Sequence, residues 1–420
     1  MIILFIALFA LILLSFPVFL SIGTATMGAF LSTHQPLFMI AQKMYDGINS
    51  YVLLAVPLFM LAGSIMDQGG ISRRLVALSE SLVGHLRGGL GITSILSSML
   101  FAGVSGSAAA DTAAVGSVLI PSMTKKGYSN NLAASIVAAG GSIGVIIPPS
   151  IPMIIYAFIA NVSVGKIFIA GILPGILIGL SLMVVVYFLS KEEKNSNKFN
   201  FRNFVKAFKE SIFALGVPII VVGGILGGVF TATESAAVAV IYALIVSAFF
   251  YKELTFKKLY MATKSAISMS SIILIIISIA TVFSWYLSMN NIQQILSDFF
   301  ISITENKIML IILINLFLLV MGTFVETTAS LILFTPVVLP MFSSIGVDPL
   351  TSGVIIVTNL AIGMLTPPLG ICLIVSGTIA KTKILDISKT IMPFLFVMII
   401  DLLLISFMPF LTRFLPSLLH

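Results

Sequence analysis

Residues 138–157 read AAGGSIGVIIPPSIPMIIYA, and residues 359–375 read NLAIGMLTPPLGICLIV. Each apolar stretch contains two consecutive prolines, which remove two backbone donors and disfavour helix at the preceding residue. Each stretch is therefore predicted to be a helix that breaks in its middle, near 144–150 and 363–370. Within a membrane, irregular backbone is tolerated only where protein or a water-filled cavity satisfies its polar groups.

The composition indicates a chain that is solvated largely by lipid. Of its 420 residues, 59% are hydrophobic and 9% are charged, and the mean hydropathy is +1.18. A soluble core has too little interior for so much apolar surface, and most of the sequence is covered by apolar stretches of about 20 residues, the length of one membrane crossing. We therefore expect an all-α polytopic membrane protein, embedded in a lipid bilayer as one domain with an internal duplication.

The cysteine content, the positions of the histidines and the net charge exclude several classes of function. The single Cys372 provides neither a disulfide framework nor a thiolate metal site. The three histidines, His34, His85 and His420, are scattered, so neither a zinc site nor a histidine proton relay is expected. In a membrane chain a net charge of +7 reflects orientation, and no nucleic-acid partner is expected.

The basic residues predict an orientation. If the polar segment 190–210 is cytoplasmic, 18 of the 22 basic residues fall on that side, and both termini lie outside. Two further apolar stretches, 93–123 and 307–342, are predicted to be re-entrant hairpins. The ten predicted full crossings are 2–20, 22–40, 51–67, 131–158, 165–189, 212–230, 233–251, 265–289, 351–378 and 390–412.

Glycine and proline positions indicate an internal duplication. A gapless shift of 219 residues superimposes the following pairs: Gly103 and Gly322, Pro121 and Pro340, Gly127 and Gly346, Gly144 and Gly363, Pro148–Pro149 and Pro367–Pro368, and Pro174 and Pro393. Repeated proline matches at one fixed offset are hard to obtain by chance. The predicted repeats are 1–189 and 211–420, joined by the cytoplasmic linker 190–210. The two copies would enter the membrane from opposite sides, an inverted repeat that is typical of secondary transporters.

Each predicted hairpin turns at a polar, glycine-rich tip. The tips are Gly103-Val-Ser-Gly-Ser107 and Gly322-Thr-Phe-Val-Glu326, each facing one broken helix. Half-helix N-termini can receive anionic groups. Each hairpin is preceded by an amphipathic basic stretch, 71–89 or 252–264, which we interpret as an interfacial arm; an ordinary loop at the headgroup surface is the alternative.

Oxygen-rich irregular backbone at both tips and breaks suits a hard cation such as Na⁺. The first predicted Na⁺ site combines Ser105, Ser107, Gly140, Gly144 and Pro148. The second combines Gly322, Thr323, Gly363, Met364 and Thr366.

Four acids fall within apolar stretches, where a charge is costly. Glu326 lies on the second tip and is predicted to contact substrate or ion. Asp111 is expected to hold the first hairpin together, and Glu234 to stabilise a helix start. Asp401 could face a partner subunit or pair within the bundle.

Four long motifs resemble the large membrane subunit of TRAP transporters. They are GVSGSAAADTAAVGSVLIPSM (103–123), AAGGSIGVIIPPSIPMIIYA (138–157), GGVFTATESAAVAVIYAL (227–244) and NLAIGMLTPPLGICLIV (359–375). The resemblance implies a multi-pass protein of the bacterial inner membrane that takes up organic acids with Na⁺ as coupling ion. It also implies a small membrane subunit, an extracytoplasmic binding protein, and an elevator motion of hairpins and broken helices.

The same resemblance places Ser105 and Ser150 near the substrate. Glu326 stands where relatives often carry the shorter Asp, and its carboxylate would suit a sugar acid, whose hydroxyl groups can donate to it. Sialic acid is therefore favoured over C4-dicarboxylates, and both stay open.

Three alternative functions share single features with this sequence. Gly103-Val-Ser-Gly106 resembles the nucleophile motif of rhomboid proteases, but no general base accompanies the serine, so no enzyme is expected. A channel would also use exposed carbonyls, yet two inverted hairpins at one midplane site fit alternating access better. A divalent-anion/Na⁺ symporter that works without a binding protein is the main rival among transporters, although its SNT-type tips are absent.

Overall fold

The computed structural model describes residues 2–14, 16–190, 199–304 and 306–418, and every regular element within them is helical. Short 3₁₀ turns cover Tyr51–Leu54 and Ile143–Val145, and a π-turn covers Val246–Phe250. The α-helices are α1 (Ile2–Leu13), α2 (Val18–Ser32), α3 (Phe38–Ile48), α4 (Ala55–Gln68), α5 (Ile71–Val83), α6 (Gly89–Ser105), α7 (Ala108–Lys125), α8 (Asn130–Ser142), α9 (Ile151–Ala160), α10 (Val164–Leu189), α11 (Phe201–Leu226), α12 (Ala232–Ile245), α13 (Phe256–Met289), α14 (Ile292–Ile303), α15 (Lys307–Phe324), α16 (Thr327–Ser344), α17 (Pro349–Gly363), α18 (Ile371–Ala380), α19 (Ile384–Thr390), α20 (Met392–Phe407) and α21 (Phe410–Ser417).

Seven helices of the described chain are long and apolar enough to cross a membrane, and the pair α19–α20, bent by 58°, makes an eighth if it is counted as one span. An all-helical protein with several membrane-spanning helices is thereby confirmed. Four of the ten predicted crossings, 2–20, 22–40, 131–158 and 351–378, consist of shorter helices instead. The seven include α15 and α16, at 18 residues each, so length alone does not make this pair a re-entrant hairpin.

Both Pro-Pro sequences interrupt their helices. In the first, α8 ends at Ser142, a 3₁₀ turn follows, and α9 begins at Ile151. In the second, α17 ends at Gly363 and α18 begins after Gly370, whose φ of +30° lies in the region that favours glycine. Each interruption leaves backbone groups outside the helical hydrogen-bond pattern, as proline requires.

Helix bounds recur at the offset found in the sequence. Shifted by 219 residues, α7 superimposes residue for residue on α16, and α6 and α15 end at equivalent turns. The opposite insertion of the two copies stays a prediction.

The position predicted for the second interfacial arm is wrong. The predicted arm 252–264 is not a separate helix, because residues 256–264 are the first turns of α13. The counterpart of the amphipathic helix α5 is α14. The arms were predicted from stretches with basic residues, and α14 contains no lysine or arginine.

Two further bounds differ from the prediction. The linker 190–210 is partly helical, because Asn200 Oδ1 accepts hydrogen bonds from the backbone N–H groups of Arg202 and Asn203 and starts α11; its residues 191–198 lie outside the described chain. The first two crossings were also drawn too long: α2 begins directly after Pro17, whose ring fixes φ and removes a donor.

The helices pack as two groups. One contains the tips and breaks: α7 and α8 pack together, α15 packs on α17, and α16 on α9. Helix α18 of the second copy packs on α7 and α8 of the first, so the copies interlock. The other group, α3, α4, α12 and α13, forms a scaffold beside it.

An ion-pair cluster fixes one corner of this scaffold. Glu253 Oε1 lies 2.8 Å from Nη2 of both Arg73 and Arg74, which joins the start of α5 to the loop before α13. Arg74 also stacks 3.7 Å from the centre of the Tyr251 ring.

Candidate functional site

Both tips and both breaks surround one central cavity of about 460 Å³. Its far wall comes from the scaffold, through Met60 of α4 and apolar residues 269–276 of α13. The only ionisable side chain among its described lining residues is Glu326. The residues contributed by tips and breaks are Gly106, Ser107, Ala108, Ala109, Val145, Ile151, Pro152, Glu326, Thr327, Thr328, Ala329, Met364 and Ile371.

The first tip is shorter than predicted, because α6 continues to Ser105 and only Gly106 and Ser107 form the turn. Gly106 has a φ of +62°, and a Cβ there would lie 2.7 Å from the Pro149 carbonyl oxygen. Its own carbonyl oxygen accepts a hydrogen bond from Ile151 N at 3.3 Å. Glycine therefore lets the tip sit directly on the first break.

Asp111 lies beneath this tip and is fully buried. The Ser105 hydroxyl donates to its Oδ1 and also accepts the Ser107 N–H at 3.1 Å. Its Oδ2 has no hydrogen-bond partner in the described chain, and a Cβ on Gly144 would lie only 2.0 Å from it. The carboxylate thus connects tip and break, as expected for a residue that holds the hairpin, and it presents one unsatisfied oxygen.

The second tip consists of Val325 and Glu326. Glu326 Oε2 accepts the Ala329 N–H at 3.1 Å and so caps α16, while the side chain also lines the central cavity. Behind the tip, Gly322 and Gly363 touch: a Cβ on Gly363 would lie 2.7 Å from the Gly322 carbonyl oxygen. This second tip is held to its break by backbone contact.

Several predicted site residues have their polar groups engaged elsewhere. Ser150 is fully buried and caps α9, where it accepts from Met153 N at 3.3 Å and donates to the Val145 carbonyl oxygen. The Thr323 hydroxyl donates to the Val320 carbonyl oxygen of its own helix at 2.7 Å, and the Thr366 hydroxyl, in the second break, donates to the Ile362 carbonyl oxygen of α17 at 3.0 Å. None of these three side chains lines the central cavity.

The remaining predicted members are backbone groups near the breaks. Gly140 lies within α8 against Ser98 of α6, below the break. Pro148 is part of a cis Pro-Pro bond, as is Pro367. Met364 lines the central cavity and accepts the Cys372 N–H through its carbonyl oxygen, at 3.2 Å.

Two other acids lie away from the cavity. Glu234 forms a capping box with Thr231, which matches its predicted structural role. Asp401 is 2% exposed and pairs within the bundle, where its Oδ1 accepts from the Ser181 hydroxyl at 3.0 Å.

Two further cavities flank the central one. The first, of about 400 Å³, contains Ser64, Asp67, Ser105 and Ser117, and shares Ser107 with the central cavity. The second, of about 360 Å³, contains Lys43, Asp46 and Trp285 and shares no lining residue with the central cavity. We call them the inner and outer vestibules, after the predicted orientation.

The two vestibules are related by the repeat. At an offset of 219, Ala113 and Ser117 of the inner vestibule correspond to Ile332 and Pro336 of the outer one, and Asp46 corresponds to Ser265. Sequence reasoning missed the scaffold residues of all three cavities: those of the central cavity are apolar and give no polar signal, and the polar ones of the vestibules are scattered along the chain in no recognisable motif.

Comparisons with known proteins agree over most of the chain. The profile of the family described as tripartite ATP-independent periplasmic transporter, DctM component, matches residues 5–411. The chain is 38% identical to the sialic acid TRAP transporter large permease protein SiaM of Vibrio cholerae, over 90% of this chain and 89% of that protein. It is 38% identical to the isethionate TRAP transporter permease protein DctMQ of Oleidesulfovibrio alaskensis, covering 95% of this chain but only 63% of that longer protein. It is also 34% identical to DctM of Vibrio cholerae, a C4-dicarboxylate TRAP transporter large permease protein, over 99% and 97%.

Two solved structures share the fold. The YdaH transporter of Alcanivorax borkumensis superimposes with a TM-score of 0.61 at 13% identity, over 87% of this chain and 86% of that one. MtrF of Neisseria gonorrhoeae gives 0.61 at 14%, over 88% and 83%. With the profile match and these relatives, the resemblance seen in the motifs is confirmed. The chain belongs to the DctM family, the large permease component of TRAP transporters.

Proposed function

We propose that this chain is the large permease subunit of a Na⁺-coupled system that imports an organic acid into bacteria across the inner membrane. The observation that carries the proposal is the central cavity, where both tips and both breaks meet. Two helices, α7 and α16, begin at this cavity, and helix N-termini favour anionic groups.

Na⁺ would supply the positive charge that the cavity lacks. The only ionisable group among its described lining residues is an acid, Glu326, which by itself repels a carboxylate substrate. Asp111 Oδ2 is a buried oxygen without a hydrogen-bond partner in the described chain, the Ser105 hydroxyl bonds to the other oxygen of the same carboxylate, and Gly144 of the first break packs against Oδ2. Hard cations prefer such oxygen ligands, so Asp111 joins the first predicted Na⁺ site.

The second Na⁺ site would use backbone. Gly322 and Gly363 pack backbone to backbone beside the second break, where the Gly363 and Met364 carbonyl oxygens each accept one N–H group and keep a second lone pair for a cation. Because the hydroxyls of Thr323 and Thr366 already donate to carbonyl oxygens, they can offer their lone pairs to a cation.

The substrate class and the partners follow from the relatives. Their names refer to isethionate, sialic acid and C4-dicarboxylates, all organic anions. The name DctMQ and the greater length of that relative support a small membrane subunit as a partner. A periplasmic binding protein would deliver the substrate, and Glu326 favours a hydroxyl-rich sugar acid.

An elevator motion fits the two packing groups. The tips and breaks form one interlocked block, and the scaffold of α3, α4, α12 and α13 lies beside it. The central cavity lies at their boundary, so sliding the block would carry a bound substrate between the two vestibules.

The test is uptake of labelled sialic acid or succinate into proteoliposomes that contain the large and small subunits, with the loaded binding protein outside. We expect uptake that saturates and requires an inward Na⁺ gradient. Ser105→Ala should reduce uptake at low Na⁺, whereas Ser122→Ala, a matched serine whose hydroxyl bonds within α7, should not. Ohmic current would indicate a channel, and uptake without the binding protein would indicate the divalent-anion symporter.

A further inference from the structure

The outer vestibule contains a cation, and its place in the fold suggests a second use. Lys43 is the one lysine or arginine among the described residues that line the central cavity and both vestibules. Its ammonium group lies 3.2 Å from Asp46 Oδ2, and the two side chains are 26% and 46% exposed. Both side chains line a cavity of about 360 Å³ and are partly exposed.

One wall of the vestibule is fixed to the scaffold. The Ser278 hydroxyl of α13 donates to the Met44 carbonyl oxygen of α3 at 2.9 Å. A Cβ on Gly47 would lie 2.4 Å from the Thr281 hydroxyl oxygen, so α3 and α13 are in direct contact. Lys43 is thereby held on a rigid face beside Trp285.

The opposite wall belongs to the helices that start at the central cavity. Ile155 of α9 lines the vestibule one turn beyond Ile151, which lines the central cavity, and Ile332 of α16 does so one turn beyond Ala329. One helical turn is about 5.4 Å, so the vestibule borders the central cavity without sharing a lining residue. An anion that enters from this side meets Lys43 before the tips.

From this juxtaposition we infer that the outer vestibule is a separate, low-affinity carboxylate site, in which Lys43 receives the acid group of the substrate in exchange for Asp46. Ser284 and Ser288 line the same cavity and offer hydroxyl groups, and the Trp285 ring offers an apolar face. The inference rests on the proposed function in that the ligand is the same organic acid.

The exchange predicts opposite effects for the two members of the pair. Lys43→Gln removes the cation and should raise the apparent Kd about two- to fivefold, the range expected for a half-exposed ion pair. Asp46→Asn removes the competitor and should lower the apparent Kd by a similar factor. Both effects should shrink at high ionic strength, where half-exposed charges are screened.

Trp285 is the single tryptophan of the chain, so its fluorescence reports on this cavity. The purified chain is titrated with N-acetylneuraminate or succinate in choline chloride, because without Na⁺ the central site should contribute little. N-acetylmannosamine is the neutral sugar control. Lys307→Gln is the matched control variant, since Lys307 lies on the same predicted side, is exposed and lines neither vestibule nor the central cavity.

We expect a saturable change in fluorescence with the acids, weakened in Lys43→Gln, strengthened in Asp46→Asn and unchanged in Lys307→Gln. The inference is overturned if the wild-type chain shows no saturable response, if Lys43→Gln responds like wild type, or if the neutral sugar gives the same change. Its failure is distinguishable from that of the proposed function, since a chain that drives Na⁺-dependent uptake but fails this titration loses only the vestibule site.

Discussion

Replacing Asp111 by asparagine should remove the part of the response to Na⁺ that comes from the first predicted site, while leaving the fold intact. The side chain is fully buried, with one oxygen bonded to Ser105 and the other, beside Gly144, without a partner among the described residues. Asparagine has the same shape but no charge. An unpaired charge inside a membrane protein costs about 2.5–3.5 kcal/mol or more, so in Na⁺-free buffer Asp111→Asn should be at least as stable as the wild type.

The expected magnitude follows from binding linkage. A ligand at 100 times its Kd stabilises the folded state by about 2.7 kcal/mol. Unfolding entropy of about 2.1 cal/mol/K per residue, applied to 420 residues, gives about 0.9 kcal/mol/K. Filling the first site with Na⁺ should therefore raise the Tm of the wild type by about 3 °C, and Asp111→Asn should lose most of that rise while the second site keeps its own contribution.

The assay is thermal unfolding of the purified chain at one scan rate, in NaCl and in choline chloride at equal ionic strength. Asp401→Asn is the matched control, because Asp401 is 2% exposed, has one oxygen bonded to Ser181 and the other without a partner in the described chain, and lies within α20 rather than at a tip or break. A full Na⁺ response in Asp111→Asn, or an equal loss in Asp401→Asn, would refute the assignment of Asp111 to the ion site.

Three further outcomes are expected. Gly363→Ala should lower Tm and uptake, since its Cβ would meet the backbone of the second tip and overpacking costs about 1–3 kcal/mol; Gly223→Ala, which has open space around the new Cβ, should not. Ser150→Ala should lower the stability by about 1 kcal/mol, because the cap of α9 is lost. The Na⁺ dependence of uptake should stay the same, and a changed dependence would indicate that Ser150 belongs to the binding site. Glu253→Gln should lower Tm slightly in low salt and less in high salt, as measured by thermal scans at two ionic strengths, because its two arginine partners are partly exposed.

Local chemistry made the breaks predictable. Proline cannot donate a backbone hydrogen bond, so the interruptions at 143–150 and 364–370 follow from the sequence whatever surrounds them. The bounds of the two tips were harder to predict than the breaks, because Gly103 and Gly322 are compatible with a helix end as well as with a turn. They lie within α6 and α15, where glycine serves close packing.

Long-range contacts were not predictable. The approach of Asp111 to Gly144 depends on how α7 packs against the first break, and no spacing in the sequence reveals it. The second arm was misplaced because basic residues guided the search, whereas α14 is amphipathic without them. By contrast, the capping role of Ser150 could have been anticipated from its place before a helix with proline at the second position.

The packing of α18 has a consequence for how such a chain could have arisen. A chain that ended near residue 190 would leave α7 and α8 without the helix that covers them, and the second half alone would leave that face of α18 bare. Neither half therefore has a complete interior, and an unduplicated ancestor would have needed a second molecule to supply one. Joining the halves turns a bimolecular association into an intramolecular one, and the assembly no longer depends on the concentration of the protein in the membrane.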